Sequence, residues 1–413
     1  MLLASHLVTS VLAMLAPVFL FLIARRYFGP VESSLPALLF MSSGYFAGQI
    51  SIVYVDLPAA AFATAAIYFA IRRNPWGLCG FGILASCTKM TAVPVVVAAW
   101  VWLLLGESRL LDRATMRRFL APLLLSPLPM AGWIVGRMIV SGHMKTVGAL
   151  GYHAYPSVWV GLKQWIALNI ILFGEDWRFI LTGLAVCGVL VHFRSLGGRR
   201  EKPRDGNELL PLMLWCALLL TSGITLGIYM LMRRYFLPVL PLYYVCCYFA
   251  IRNIGRKAAM VTVAALAPLQ MLLWFTPLLP FFPFDVGTTS PLQSPITLRH
   301  FSVIAAHRRA AEFVEALPGR PVVLTHEFTY ELADPNLGYV TQPVQTVELS
   351  AAGPPDGFNF ICVEARGPWA PARSLLPLVE QLKHRAAIGL VKVISNEECT
   401  VEVYRSSSCP RVD

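Results

Sequence analysis

Apolar stretches near twenty residues long recur along this chain, and they leave it few folds to adopt. A run of that length with few charges matches the hydrocarbon thickness of a bilayer. The stretches fall at 2–24, 33–50, 56–72, 76–88, 91–105, 118–140, 176–194, 208–232, 235–251 and 258–280. They predict a mainly α fold, a polytopic transmembrane helical bundle of about ten spans. Composition agrees, with 56% hydrophobic and only 14% charged residues among 413. The fourth and fifth stretches are short, with Lys89 between them. They predict either a tight helical hairpin or a broken, partly re-entrant pair.

Orientation follows from the basic residues, because short cytoplasmic loops collect Lys and Arg. Arg25-Arg26, Arg72-Arg73, Arg109 with Arg113, Arg117 and Arg118, then Arg194 to Arg204, and then Arg252, Arg256 and Lys257 occupy alternate loops. Those loops are expected in the cytoplasm. The N-terminus, the turn before Asp56, the 141–175 segment and the C-terminal tail are then expected outside. The protein therefore reads as a multi-pass protein of the cytoplasmic (inner) membrane. The formal net charge of +11 is largely this loop asymmetry, which argues against a nucleic-acid partner. The first stretch has no positive segment before it and an arginine pair after it, so it is not read as a cleaved signal peptide.

Residues 1–283 form the expected membrane domain, 284–300 a Pro-rich linker and 301–413 a small extracytoplasmic α/β domain. In that tail, 304–317 and 372–385 read as helices, and 320–324, 358–363, 390–394 and 400–404 as strands. Six of the nine cysteines lie in apolar spans as small hydrophobes. Cys362, Cys399 and Cys409 lie in the tail without zinc-like spacing; a Cys399–Cys409 disulfide is the less favoured alternative there.

Several charged groups stand where charge is costly. Asp56 opens the third stretch, and an ionisable group at a helix mouth marks a functional site unless it merely caps the helix. Lys89, Arg233 and Arg234 fall at outward helix ends. They would contact phosphate oxygens, or else snorkel toward lipid headgroups. Glu175 and Asp176 precede the seventh stretch as a further acidic pair, either an acid or metal ligand of a site, or an interfacial cap paired with Arg178. The 141–165 segment carries His143, Lys145, Tyr152, His153, Tyr155, Trp159 and Trp165, suited to a sugar ring or an acceptor and equally to an aromatic belt. In the tail, His326-Glu327 with Glu331 reads as loop and helix-start chemistry, not as a zinc site.

Three motifs appear in one order and on consistent sides: Asp56-Leu57-Pro58; Gly77, Gly80 and Gly82 leading to Thr88-Lys89; and Arg234-Tyr235-Phe236-Leu237-Pro238-Val239-Leu240-Pro241. Together they resemble the GT-C superfamily of polyprenyl-phosphate-sugar-dependent glycosyltransferases, which includes protein O-mannosyltransferases and lipid A aminoarabinose transferases. The resemblance covers about residues 1–250. It implies transfer of a sugar from a polyprenyl-phosphate carrier to a lipid, glycan or protein acceptor. Asp56 would serve acceptor or divalent-metal binding, Lys89, Arg233, Arg234 and Tyr235 the phosphate, and the tail domain acceptor selection. In that family the first outward loop carries the acid regarded as the catalytic base. This chain begins with what looks like the family's second helix. Two explanations stand, an upstream start codon or a protein without that base, and the first is the expectation. The rivals are a lipid-linked sugar flippase, though neither internal repeats nor mid-membrane charges beyond Arg137 support one, and a catalytically defective scaffold of the same fold.

Overall fold

The structure is a computed structural model and describes residues 2–50, 55–105, 113–141, 166, 172–174, 177–196, 214, 236–272, 300–317, 321–325, 328–333, 335, 339–348, 359–366, 388–396 and 399–406. The chain divides into two compact units, His6–Thr289 with Pro295–Thr297, and Leu298–Asp413 with Met1–Ser5 and Ser290–Ser294.

The larger unit is helical among the described residues: α1 Leu2–Arg25, α2 Pro30–Ser42, α3 Gly44–Ile50, α4 Asp56–Ile71, α5 Pro75–Thr88, α6 Val93–Leu105, α7 Arg113–Leu125, α8 Leu128–Ser141, α9 Arg178–Leu196, α10 Leu240–Arg252 and α11 Arg256–Leu272. Within α1, Leu7–Arg25 is long and apolar enough to cross a membrane; the apolar helices at Asp56–Ile71, Met90–Leu105, Arg178–His192 and Leu240–Arg252 are shorter. Apart from Leu214, the expected span 208–232 lies outside the described residues, as does the end of 258–280.

Two expected spans are each broken in two. The 33–50 stretch divides at Ser43, which is extended (φ −64°, ψ 141°). Its hydroxyl donates to the Phe40 carbonyl at 2.7 Å and accepts from the Phe46 amide at 3.3 Å. A serine side chain thus replaces backbone bonds at the break, which hydrophobicity alone does not reveal. The 118–140 stretch divides at Ser126-Pro127. Proline has no N–H to continue a helix and disfavours helical backbone in the residue before it. The Ser126 hydroxyl there accepts from Trp100 Nε1 at 3.3 Å, tying the break to α6.

A hairpin of α4 and α5 anchors the bundle. Arg73 takes a left-handed conformation (φ 53°) in its turn, and the Asn74 side chain caps α5 by accepting from the Gly77 amide at 3.0 Å. Pro75 then occupies the first helical position, where its missing N–H costs nothing. The rings of Phe69 and Phe81 stack at 5.2 Å across the hairpin, with Phe19 of α1 edge-on to Phe81 at 5.6 Å. Gly77 allows this packing: a Cβ there would lie 2.4 Å from the Phe69 ring. On the other side of the unit, α9 and α10 meet backbone to backbone at Gly188 and Ala250.

The tail unit pairs α12 (His300–Glu315) and a short α13 (Thr329–Ala333) with a mixed sheet. Its strands are β1 Val322–Thr325, β2 Gln345–Glu348, β3 Phe360–Arg366, β4 Ile388–Ser395 and β5 Thr400–Ser406, in the order β2-β1-β3-β5-β4. β1 lies parallel to β2 and β3, whereas β5 runs antiparallel to β3 and β4. Ala306, Ala310, Ala311 and Val314 of α12 join Val323, Phe360, Val401 and Val403 in one core. The four strands read from the sequence are present with small shifts. β2 was not expected: Gln-Thr-Val-Glu is polar at its ends and sits at a sheet edge, where burial does not demand an apolar run. The expected helix at 372–385 lies outside the described residues. Cys399 is buried with a free thiol, and Cys409 lies outside the described residues.

Candidate active site

Asp56 is the first residue of α4 and is 1% exposed. The N-cap position belongs to Val55, which offers no side-chain capping bond. The Asp56 carboxylate, in the first turn, forms an ion pair between its Oδ1 and Nζ of Lys89.

Lys89 reaches it because α5 stops there. The residue is extended (φ −158°, ψ 132°), its amide still bonded to Ala85 O at 3.0 Å. A 3₁₀ turn, Met90–Ala92, then leads into α6. The fourth and fifth stretches thus form the tight hairpin, with Lys89 at its corner. The sequence reading gave Asp56 and Lys89 separate tasks and did not pair them; the structure brings the two side chains together. Each charge alone would be expensive in an apolar bundle, and pairing offsets part of that cost. The Lys89 side chain keeps 18% exposure, so one side of the pair is reachable.

A second polar group gathers where α9 begins. Trp177 turns the chain with a left-handed backbone (φ 62°). Arg178 follows and is 1% exposed, its guanidinium 4.9 Å from the centre of the Tyr45 ring. The Arg178 carbonyl accepts from the Tyr243 hydroxyl at 3.3 Å, and that hydroxyl lies 2.8 Å from Thr182 Oγ1. Gln49 lies one turn beyond Tyr45 on α3 and is also buried. Oε1 of Gln49 and Oγ1 of Thr91, two residues after Lys89, have no hydrogen-bond partner among the described residues. Buried polar atoms are nearly always satisfied, so such atoms mark places where a ligand or water can bond.

The sequence reading gave Arg178 only the role of partner to an interfacial acidic pair, and its burial went unnoticed. The available signal was its position as first residue of an apolar helix opposite an outward turn rich in polar groups. Glu175, Asp176, His143, His153, Arg233, Arg234 and Tyr235 lie outside the described residues. Immediately after them, Phe236, Leu237 and Val239 are buried, and α10 starts at Leu240-Pro241, as the motif at 234–241 implies.

For a divalent ion the described donors do not fit. No three His, Cys, Asp or Glu side chains converge among the described residues, and Oδ1 of Asp56 carries an ammonium group. In the tail, Glu331 pairs with His307 of α12, Oε2 to Nδ1 at 3.1 Å, and the histidine is wholly buried with its ring stacked on Phe328 at 4.3 Å. Glu331 stands in the first turn of α13, as the sequence reading had it, and from there its carboxylate contacts the buried His307 ring.

No family model matches the chain, and no curated protein matches it. Two solved structures do. ArnT from Cupriavidus metallidurans bound to undecaprenyl phosphate superposes with a TM-score of 0.51 at 11% identity, covering 98% of this chain and 85% of that one. Its apo state gives a TM-score of 0.53 at 12% identity, covering 98% and 84%. The fold is that of ArnT. The likeness bears out the mainly helical architecture expected from the sequence, while among the described residues one helix, Leu7–Arg25, is long and apolar enough to cross a membrane.

Proposed function

We propose that this chain is a multi-pass glycosyltransferase of the cytoplasmic membrane. It would move a sugar from a polyprenyl-phosphate carrier to a lipid, glycan or protein acceptor on the outer side. The observation that carries this reading is the fold shared across 98% of the chain with a protein solved holding undecaprenyl phosphate. The Asp56–Lys89 pair at a hairpin corner supports it, because the reaction needs a carboxylate and a cation close together.

In the proposed step an acceptor hydroxyl attacks the anomeric carbon of the sugar. The bond from that carbon to the phosphate oxygen breaks, and the lipid phosphate leaves with the bonding electrons. The hydroxyl proton passes to a carboxylate, and cations hold the charge developing on the phosphate. Lys89 and Arg234 take the phosphate, with Arg233 and Tyr235 beside them. Asp56 orients Lys89 and organises the acceptor. Glu175 and Asp176 supply the proton-accepting carboxylate, and His143 and His153 contact the sugar or the acceptor. A divalent ion would need Glu175 and Asp176 to complete a ligand set with Asp56, and no step here is routed through it. Unchanged transfer by EDTA-treated protein would remove the ion from the proposal.

The test uses purified protein in proteoliposomes with a radiolabelled polyprenyl-phosphate sugar and cell-envelope acceptors. Covalently labelled acceptor is expected, with Asp56→Asn lowering the rate about 100-fold, the scale of misplacing groups that position the reactants. Labelled lipid that crosses the bilayer without product would instead mean a flippase. Neither product nor translocation would mean a scaffold.

A further inference from the structure

At the end of the bundle opposite the Asp56–Lys89 corner, the turn after α1 docks on the end of α10. Tyr27 packs edge-on to Phe249 at 4.8 Å and Phe28 edge-on to Tyr248 at 5.1 Å. Arg25 Nη1 donates to the Phe28 carbonyl at 3.0 Å, which fixes the turn. The docking gathers Arg25 and Arg26 of this turn at the same end as Arg252, Arg256 and Lys257 of the α10–α11 turn. Among the described residues one carboxylate answers these five cations. Glu32, in the first turn of α2, has Oε1 3.5 Å from Arg252 Nε and paired with Arg256 Nε.

The arrangement is electrostatically lopsided. Arg256 and Lys257 open α11, whose first turn contains no acidic residue. Cations at the positive end of a helix dipole are unfavourable, and that end also presents unbonded backbone N–H groups. Glu32 is buried while the Arg256 side chain is 61% exposed. The positive charge therefore faces outward, above a carboxylate already engaged. Such a surface is built for an anion, and arginine with a helix N-terminus favours phosphate. The aromatic rings of Tyr27, Phe28 and Phe249 beside it supply an apolar wall of the kind an acyl chain covers.

We propose that Arg252, Arg256, Lys257 and the N-terminus of α11 bind the phosphate headgroup of an anionic phospholipid of the membrane. The inference rests on the membrane placement of the chain and not on the transfer reaction. Plain arginine snorkelling would involve every basic turn alike, whereas this site is confined to one.

The experiment is a titration of the purified full-length protein in neutral detergent with phosphatidylglycerol, followed by thermal unfolding and native mass spectrometry. Saturable binding is expected, with no comparable effect from phosphatidylcholine or from inorganic phosphate at equal concentration. Removing a basic residue at a membrane surface weakens lipid binding about fivefold, so Arg256→Gln with Lys257→Gln should weaken it about 25-fold. Arg117→Gln, in a different basic turn, should leave it unchanged. Glu32→Gln should tighten binding about fivefold by releasing the guanidinium groups, an effect that a purely structural Glu32 would not produce. Equal binding of phosphatidylcholine, equal stabilisation by inorganic phosphate, or equal loss in Arg117→Gln would overturn the proposal. Because the readout is lipid binding, it fails or succeeds independently of glycosyl transfer.

Discussion

The Asp56–Lys89 pair joins residues of very different exposure, and this asymmetry decides what each substitution does. Lys89→Met leaves a carboxylate that is 1% exposed without its ammonium, and stranding a buried charge in this way costs about 3 kcal/mol or more. Asp56→Asn leaves an ammonium with some access to water, so about 1 kcal/mol is expected. The double variant should cost less than the sum, and thermal unfolding of the four proteins in detergent measures that coupling; strict additivity would show that the pair contributes nothing. A gentler effect is expected in the tail. The Glu315 carboxylate is held below the usual glutamate range, chiefly by the Thr341 hydroxyl and also by the Gln342 and Thr341 amides. A depressed carboxyl contributes stability above its unfolded value and loses it as pH falls through the folded one. Thr341→Val should therefore lower tail stability at neutral pH and flatten its acid limb, the two proteins converging at low pH; an identical acid limb would exclude the role. Of these groups, Asp56 was legible in the sequence because a charge at a helix mouth stands out against apolar neighbours. Its partner was not, since residues 33 apart meet only through the register of the hairpin. Nor was the core pair of His307 and Glu331, for burial of a histidine leaves no local signature.

Helix existence was legible from hydrophobic length, and helix continuity was not. Ser43 and Ser126-Pro127 divide two expected spans because side-chain bonds and a missing N–H act at single positions within otherwise apolar runs. Glycine behaves similarly: its spacing in the chain does not reveal which one is a contact. Of the three glycines in the 77–82 motif, Gly77 faces Phe69 and Gly82 faces Val96 Cγ1 at 2.9 Å from an added Cβ, while Gly80 is open. The sharpest case lies outside the motif. A Cβ on Gly188 would sit 1.9 Å from the Ala250 carbonyl oxygen, whereas one on Gly183 meets nothing within 4 Å. Backbone cannot swing aside as a side chain can, so Gly188→Ala must push α9 away from α10. A loss of about 3 kcal/mol is expected, at the upper end of overpacking costs. Gly183→Ala on the same helix should be neutral or stabilising by up to about 1 kcal/mol through helix propensity. Thermal unfolding of both variants in detergent tests the contact directly, and equal stability would mean that α9 and α10 are not in backbone contact.

At the scale of the whole helical unit, the described helix ends sort into two sets. The turns carrying Arg25-Arg26 and Arg252 to Lys257 lie together through the Phe28–Tyr248 contact. Those carrying Arg72-Arg73 and Arg117-Arg118 lie together through a 2.8 Å bond from Arg118 Nη2 to the Arg73 carbonyl. Asp56 and Lys89 occupy the far ends of α4 and α5, opposite Arg72-Arg73. A 16-residue helix such as α4 is about 24 Å long, some 6 Å short of a typical hydrocarbon core. Asp56 is therefore expected at the edge of the hydrocarbon instead of out in water, which explains why protein, and not solvent, must satisfy it. The basic turns are predicted to face the cytoplasm and the Lys89 corner the outside. Cysteine placed at Met90, 46% exposed beside that corner, should react with a membrane-impermeant maleimide in intact cells, above the background of the parent protein. Cysteine placed at Asn74, in the opposite turn, should react only after permeabilisation. The reverse pattern would invert the orientation and put the proposed reaction on the cytoplasmic side, where the acceptor would have to be sought instead. Labelling of both from outside would mean that α4 and α5 do not cross the bilayer, and the glycosyltransferase reading would lose its membrane-spanning site.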